Sequence, residues 1–358
     1  VSAPLAPPIA LWVVPVSDVG GVARHALDAL GHGIPGWRTV LLCPPGPLAE
    51  VARAAGIAVL TGPVSPDDGA ATAMTEVRHV ITRLRPAVVH SHLSFADLAV
   101  AGGSLGLPVA IVTTEHGIAR DDLVYHGTRW RSRVRALAHT ARLRRADALI
   151  AVSRSTLDVV REKWHPAAHL RAEVILNGVD PLVVPAHRSP GLHVVSLARL
   201  APEKGLDHLL EAFALVAHRH PDARLTVAGT GPLQQQLQGQ VDRLGLSDQV
   251  VMPGFVDAGE VLSAGDVLVQ LSAWENCSYS LLDAQVHGLG VVASPVGGNP
   301  ELLPSHCLVP ATAHHRIAEA VIDQGLNLEA RPVLDHGWPT VAAMGERIAR
   351  VYADVTRP

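Results

Sequence analysis

The feature that most constrains the fold of this chain is a regular alternation. Short, nearly all-apolar runs rich in β-branched residues are separated by helical stretches along the whole sequence. In the first half the runs are 9–14, 39–43, 87–90, 109–113 and 148–152. In the second half they are 193–197, 224–228, 250–252, 267–271 and 291–293. Runs this short and this apolar read as parallel strands buried on both faces, with helices as the crossovers. One crossover is expected over 206–218, where Leu206, Leu209, Leu210, Phe213 and Val216 recur at helical spacing.

The alternation pauses once, at 181–191, where Pro181, Pro185, Pro190 and Gly191 mark a linker. With 358 residues the chain is long for one core and comfortable for two. The expectation is an α/β protein of two doubly wound, Rossmann-like domains, 1–182 and 183–340. A terminal helix, 341–358, can pack on either and has the reach to return to the first. Ligands in such sheets sit at the carboxyl ends of the strands. Two such domains facing across a cleft make that cleft the expected active site.

Composition narrows the classes. Hydrophobic residues make up 48% and charged residues 17%, enough for a large core, and with aromatics at 3% that core rests on Ala, Val and Leu. A net charge of -4 argues against nucleic acid as a partner. Cys43, Cys277 and Cys307 lack metal-ligand spacing and read as reduced thiols of a cytoplasmic protein. Residues 1–8 read as a loose leader without a basic n-region. No apolar run has the length of a membrane span.

The strongest chemical constellation lies in the second half. The run 193–197 leads into Ala198-Arg199-Leu200-Ala201-Pro202-Glu203-Lys204-Gly205 and then a helix. A planar guanidinium and a compact ammonium at the carboxyl end of a strand suit a diphosphate, and the helix start adds N–H groups. A solvated loop with a Glu203–Lys204 surface pair is the plain alternative. The run 267–271 leads into Ser272-Ala273-Trp274-Glu275-Asn276-Cys277-Ser278-Tyr279-Ser280-Leu281-Leu282-Asp283. This puts Glu275 in a loop able to accept from sugar hydroxyls and Asp283 one turn into a helix, able to accept from ribose. Dipole compensation and a plain surface acid are the alternatives.

Glu275 and Asp283 resemble the Glu-x7-Glu motif of retaining glycosyltransferases of family 4, the group 1 glycosyltransferases with the GT-B fold. Arg199 and Lys204 resemble that family's Arg-x4-Lys-Gly clamp. Asn177-Gly178-Val179-Asp180, Gly229-Thr230-Gly231-Pro232 and Gly297-Gly298-Asn299-Pro300-Glu301 fit it as well. One departure is Asp283, a methylene shorter than the family's Glu. The resemblance implies an acceptor-binding first domain and a donor-binding second domain. It implies that Glu275 binds the donor sugar, and that Arg199 and Lys204 hold the diphosphate. The amides of Ser278, Tyr279 and Ser280 would line sugar and phosphate, and Gly254 and Phe255, on a loop after 250–252, would lie near the base. It also implies front-face transfer with retention, in which the departing phosphate oxygen helps remove the acceptor proton.

In the first half, Gly20 and Gly21 resemble the family's N-terminal Gly-Gly loop, with a simple strand-to-helix turn as the alternative. His116, in Thr114-Glu115-His116-Gly117, resembles its active-site histidine. His90-Ser91-His92 also ends a strand, but metal binding there lacks a visible third ligand. No Asp-x-Asp occurs, so no metal is expected: Arg199, Lys204 and helix dipoles would neutralise the leaving group. No cofactor is expected beyond the substrate, a UDP-sugar or GDP-sugar. No Gly-x-Gly-x-x-Gly opens either domain, Gly229-Thr230-Gly231 lacking the third glycine, and no Gly-x4-Gly-Lys-Ser/Thr occurs, which argues against a dehydrogenase and a P-loop kinase.

The segment 129–145 holds Arg129, Arg131, Arg133, Arg135, Arg142, Arg144 and Arg145, with Trp130 among them. It suits peripheral contact with an anionic membrane at its inner face, where a lipid-linked acceptor would lie, or equally a solvated helix face. The function expected is transfer of a hexosyl group from a nucleoside-diphosphate sugar to a glycan, lipid-linked or small-molecule hydroxyl. An epimerase or phosphorylase of the same fold and a non-catalytic sugar-nucleotide binder are the rivals.

Overall fold

A computed structural model describes residues 6–117, 139–168, 170–182 and 188–357. The chain forms two compact units. Unit 1 comprises Val1–Gly178 together with Pro339–Pro358, and unit 2 comprises Val179–Trp338.

Unit 1 is built on a seven-stranded parallel sheet. Its strands are β1 (Ile9–Val13), β2 (Arg38–Cys43), β3 (Val59–Thr61), β4 (Val88–His92), β5 (Ala110–Glu115), β6 (Ala148–Ala151) and β7 (Arg171–Val174), in the order β3-β2-β1-β4-β5-β6-β7. Side chains alternate across this sheet, as the period of a strand requires. Along β1, Ala10 and Trp12 face one core with Leu41, Ile150, Met344 and Tyr352. Leu11 and Val13 face another with Leu42, Val77, Val100 and Leu149. The helix Val341–Val355, capped by Thr340 accepting from the Ala343 amide at 3.2 Å, buries Val341, Met344, Ile348, Val351 and Tyr352 against the first of these cores.

Unit 2 carries a five-stranded parallel sheet. Its strands are β8 (His193–Leu197), β9 (Arg224–Ala228), β10 (Val250–Gly254), β11 (Val267–Gln270) and β12 (Gly290–Ala293), in the order β10-β9-β8-β11-β12. The helix Leu206–Arg219 lays Leu206, Leu209, Leu210, Phe213 and Val216 on this sheet.

Three readings are corrected. β3 and β7 are additional strands at the two edges of their sheet; their residues are mostly half-buried or exposed, so no apolar run marks them. β4 runs on through His92, so His90-Ser91-His92 lies inside the strand, with all three side chains buried. Gly254 belongs to β10, not to a loop after it: a register irregularity between Val251 and Gly254 lets Gly254 pair with Ala228. Among the described residues, no helix is long and apolar enough to cross a membrane.

Candidate active site

Each sheet has a point where the strand order reverses, and open parallel sheets bind ligands outside the strand ends at such points. In unit 2 the reversal lies between β8 and β11. Arg199 and Lys204 follow β8, and Glu275 follows β11. The two loops are stitched together by the Ala273 amide donating to the Glu203 carbonyl at 2.8 Å. Lys204 Nζ donates to Glu275 Oε1 at 2.5 Å, and the Ser272 hydroxyl donates to the same oxygen at 2.9 Å. Trp274 lies with its ring centroid 6.0 Å from Lys204 Nζ.

Arg199 pairs with the buried carboxylate of Glu203, while 65% of its own side chain stays exposed. The Glu203–Lys204 surface pair considered above therefore does not form; each partner is engaged elsewhere. An ammonium has three donors and a guanidinium five, so neither cation is exhausted by one carboxylate.

Two glycines make this arrangement possible. Gly205 sits at φ +60, where a Cβ would lie 2.4 Å from the Leu271 carbonyl oxygen. Gly297 sits at φ +53, where a Cβ would lie 1.6 Å from the Glu275 carbonyl oxygen. Only glycine tolerates both the left-handed backbone and the approach. The Gly298 amide donates to that Glu275 carbonyl at 3.3 Å, so the Gly297-Gly298 stretch holds the Glu275 loop in place. Ser294 braces the other side, its hydroxyl donating to the Ser272 carbonyl at 2.5 Å.

The helix Tyr279–Val286 begins just beyond. Ser278, extended in backbone, precedes it, and among the described residues no side chain caps it. The Ser278 hydroxyl instead accepts from Gln270 Nε2 at 2.9 Å. Asp283, half-buried, stands one turn in. Phe255 is 75% exposed just past β10.

In unit 1 the reversal lies at β1 and β4. Gly20 precedes, and Gly21 opens, the helix Gly21–His32 that follows β1. A Cβ on either would meet nothing within 4 Å, and neither has a left-handed backbone. Packing inside the chain therefore asks for no glycine there.

His116, just past β5, joins a histidine cluster that the sequence only half displays. His92 Nδ1 and His116 Nε2 are 2.9 Å apart, and His25, from the helix Gly21–His32, packs edge-on to His116 at 4.7 Å between centroids. His92 stacks on Trp12 at 4.5 Å. One nitrogen from each of His25, His92 and His116 lies within 4.8 Å of the others, a trio that keeps His92 from His90-Ser91-His92 and leaves His90 out. His25 Nδ1 lies 3.0 Å from Asn177 Oδ1, a partner 152 residues away. Burial holds His25 down to about 4, against the smaller upward pull of the Asn177 bond. Burial, then neighbouring rings, holds His90, His92 and His116 well below the usual imidazole range.

Leu93, directly after His92, has φ +70, an uncommon backbone for a leucine. It turns the chain from β4 into the helix Leu93–Gly103 without an intervening loop.

Arg142 requires a correction. It falls within the basic stretch of the sequence, yet it is buried and pairs with both Asp97 and Glu115. Asp97 also accepts from the Thr113 hydroxyl at 2.7 Å. Burial pushes Glu115 up, against the pull of Arg142 and with the push of Asp97. Arg144 and Arg145 are exposed. Arg129, Trp130, Arg131, Arg133 and Arg135 lie outside the described residues. The thiols of Cys43 and Cys307 are buried, and burial pushes each up to about 11, which disqualifies both as nucleophiles at neutral pH.

Comparison with known proteins matches residues 19–182 to the family described as Glycosyltransferase Family 4, and residues 191–324 to Glycosyl transferases group 1. Among relatives, one subunit of the human phosphatidylinositol N-acetylglucosaminyltransferase is 27% identical over 245 residues, 65% of this chain and 48% of the relative. The alpha-D-kanosaminyltransferase of Streptomyces kanamyceticus is 26% identical over 176 residues, 45% of this chain and 45% of that protein. The chain thus spans about half the length of these relatives. Among solved structures, Anabaena HepE in complex with UDP-glucose superposes with a TM-score of 0.77 at 20% identity, covering 98% of this chain and 97% of that one. The sucrose-phosphate synthase of Thermosynechococcus elongatus gives 0.71 at 18% identity, covering 98% and 96%. The fold is therefore GT-B.

Proposed function

Because the chain belongs to the family 4, group 1 glycosyltransferases, we propose that it transfers a glycosyl group from a nucleoside-diphosphate sugar to an acceptor hydroxyl. The observation that carries this reading is the Lys204–Glu275 pair beside the start of the helix Tyr279–Val286, with Arg199 reaching solvent next to it. Positive charge and helix N–H groups suit a diphosphate leaving group, and the carboxylate paired with Lys204 suits sugar hydroxyls.

In this reading Arg199 and Lys204 hold the diphosphate, and Glu275 holds the donor sugar. Ser278, Tyr279 and Ser280 line both through their amides, and Asp283 takes the ribose, through water if its shorter side chain falls short. Gly254 and Phe255 flank the base. His116 contacts the donor sugar, and the Gly20-Gly21 turn, whose glycines packing does not demand, leaves room for substrate. The group moved is a hexosyl group, transferred with retention. The cations and helix dipole stabilise the departing phosphate without a metal. A UDP-sugar is the first candidate donor and a GDP-sugar the second, since HepE is solved with UDP-glucose. Any membrane contact then falls to the basic stretch without Arg142, and co-sedimentation with anionic vesicles at low salt tests it.

The deciding experiment is a thermal-shift screen with UDP, GDP, ADP and TDP, followed by product analysis with a labelled donor. One nucleotide should raise Tm by mass action. That shift should vanish in Arg199→Ala, and donor turnover should vanish in Glu275→Ala. A shift that persists in Arg199→Ala would overturn the phosphate assignment.

A further inference from the structure

The four histidines at the carboxyl end of the unit 1 sheet are not equivalent. His90 is saturated: Nδ1 lies 2.6 Å from the Tyr352 hydroxyl and Nε2 lies 2.6 Å from the Thr114 hydroxyl. His25 and His92 are as deeply buried, at 0% exposure, yet Nε2 of each meets no hydrogen-bond partner among the described residues. A buried polar atom left without a partner costs about 1–3 kcal/mol, and here two occur on rings whose centroids are 5.6 Å apart. His25 Nδ1 faces the Asn177 amide oxygen, so that nitrogen donates and Nε2 keeps a bare lone pair. This is how imidazoles that bind metals are oriented: one nitrogen donates to an oxygen acceptor and the other is left to coordinate.

We propose that His25, His92 and His116 form a binding site for one divalent transition cation of the imidazole-preferring class, with Zn2+ as its first occupant. Three protein nitrogens and one open position is a familiar zinc arrangement. The three ligand atoms lie within 4.8 Å of one another, and tetrahedral coordination needs them only modestly closer. The half-buried His116 gives the ion its route in. The left-handed backbone at Leu93 fits the same picture, because it holds His92 at the strand end against Trp12. The ligands come from three separated elements: the helix Gly21–His32, the end of β4 and the residue after β5. The site therefore exists only in folded unit 1.

One consequence rests on the reading of His116 as a donor-sugar contact. An ion held by His116 removes that ring from the sugar, so zinc acts as an inhibitor of transfer and not as its catalyst.

The test uses the full chain, free of tags and of metal. Titration with Co2+ should give the intense visible absorption of a four-coordinate ion at one equivalent, and calorimetry should give one Zn2+ per chain. His25→Gln, His92→Gln and His116→Gln should each abolish both signals, and Asn177→Ala should weaken binding about tenfold. His208→Gln should change nothing, although His208 and His314 form a pair at 3.0 Å in unit 2. If a buried variant fails to fold, His116→Gln decides, its ring being only half-buried. Absence of cobalt absorption, zinc binding that survives His116→Gln, or loss of binding in His208→Gln would each overturn the site. Transfer is measured separately with and without zinc and then with chelator. A chain that binds zinc but transfers nothing under any condition refutes the enzymatic reading and leaves the site standing.

Discussion

Both sheets set cations against carboxylates near their carboxyl ends, and the two arrangements are opposite in exposure. In unit 1, Arg142 is enclosed with Asp97 and Glu115, and all three side chains are at most 4% exposed. In unit 2, Lys204 and Glu275 keep 20% and 13% of their side chains in solvent, and Arg199 keeps 65%. An enclosed cation serves the fold, because its neighbours cannot be paired any other way. A partly open one can exchange a carboxylate for a phosphate. The unit 1 group lies beside β5, away from the reversal between β1 and β4, while the unit 2 group flanks its reversal between β8 and β11, so placement and accessibility together separate structure from chemistry.

The largest effect that separates the two arrangements is on stability. Arg142→Ala leaves two carboxylates buried together and should cost about 3–5 kcal/mol, read from urea unfolding. Adding Glu115→Gln should return part of that loss; a double variant no more stable than the single one would mean packing, not charge, dominates. Next comes activity. Lys204→Ala should lower kcat about 10²–10³-fold, as loss of a group aimed at developing charge does. The same variant should shift unfolding by no more than about 1 kcal/mol. Equal damage to fold and activity in both variants would erase the distinction.

The smaller effect concerns acid. The ring of His25 takes a proton near 6.5 when unfolded and near 4 when folded. Stability owed to its neutral form is therefore complete above the first value and lost as pH falls toward the second. For metal-free protein this amounts to on the order of 2 kcal/mol between pH 7 and pH 5. His90, His92 and His116 act in the same direction, while Glu115, lifted by burial, opposes them. Hydrogen exchange at the two pH values should show unit 1 loosening before unit 2.

The unit 2 loops after β8 and β11 were legible in the sequence because their chemistry is local. Arg199, Lys204 and Glu275 each follow an apolar strand within a few residues, and Gly205 and Gly297 advertise the turns that hold them. The unit 1 cluster was not legible in the same way. His25 is one histidine among 20, and its partner Asn177 lies 152 residues on. Arg142 looked like its neighbours Arg144 and Arg145, because charge read along a line does not reveal which residue turns inward. The edge strands β3 and β7 escaped because an edge needs less apolar surface than the centre of a sheet.

The return of the helix Val341–Val355 to unit 1 also sets an order of manufacture. A ribosome that has reached Trp338 has delivered all of unit 2, while unit 1 still lacks the helix that packs over Ala10, Trp12 and Leu41 and that satisfies His90 through Tyr352. Of the two sheets, the one translated earlier is the one closed later. Until residues 341–355 emerge, its apolar face is open to any chaperone or protease in reach.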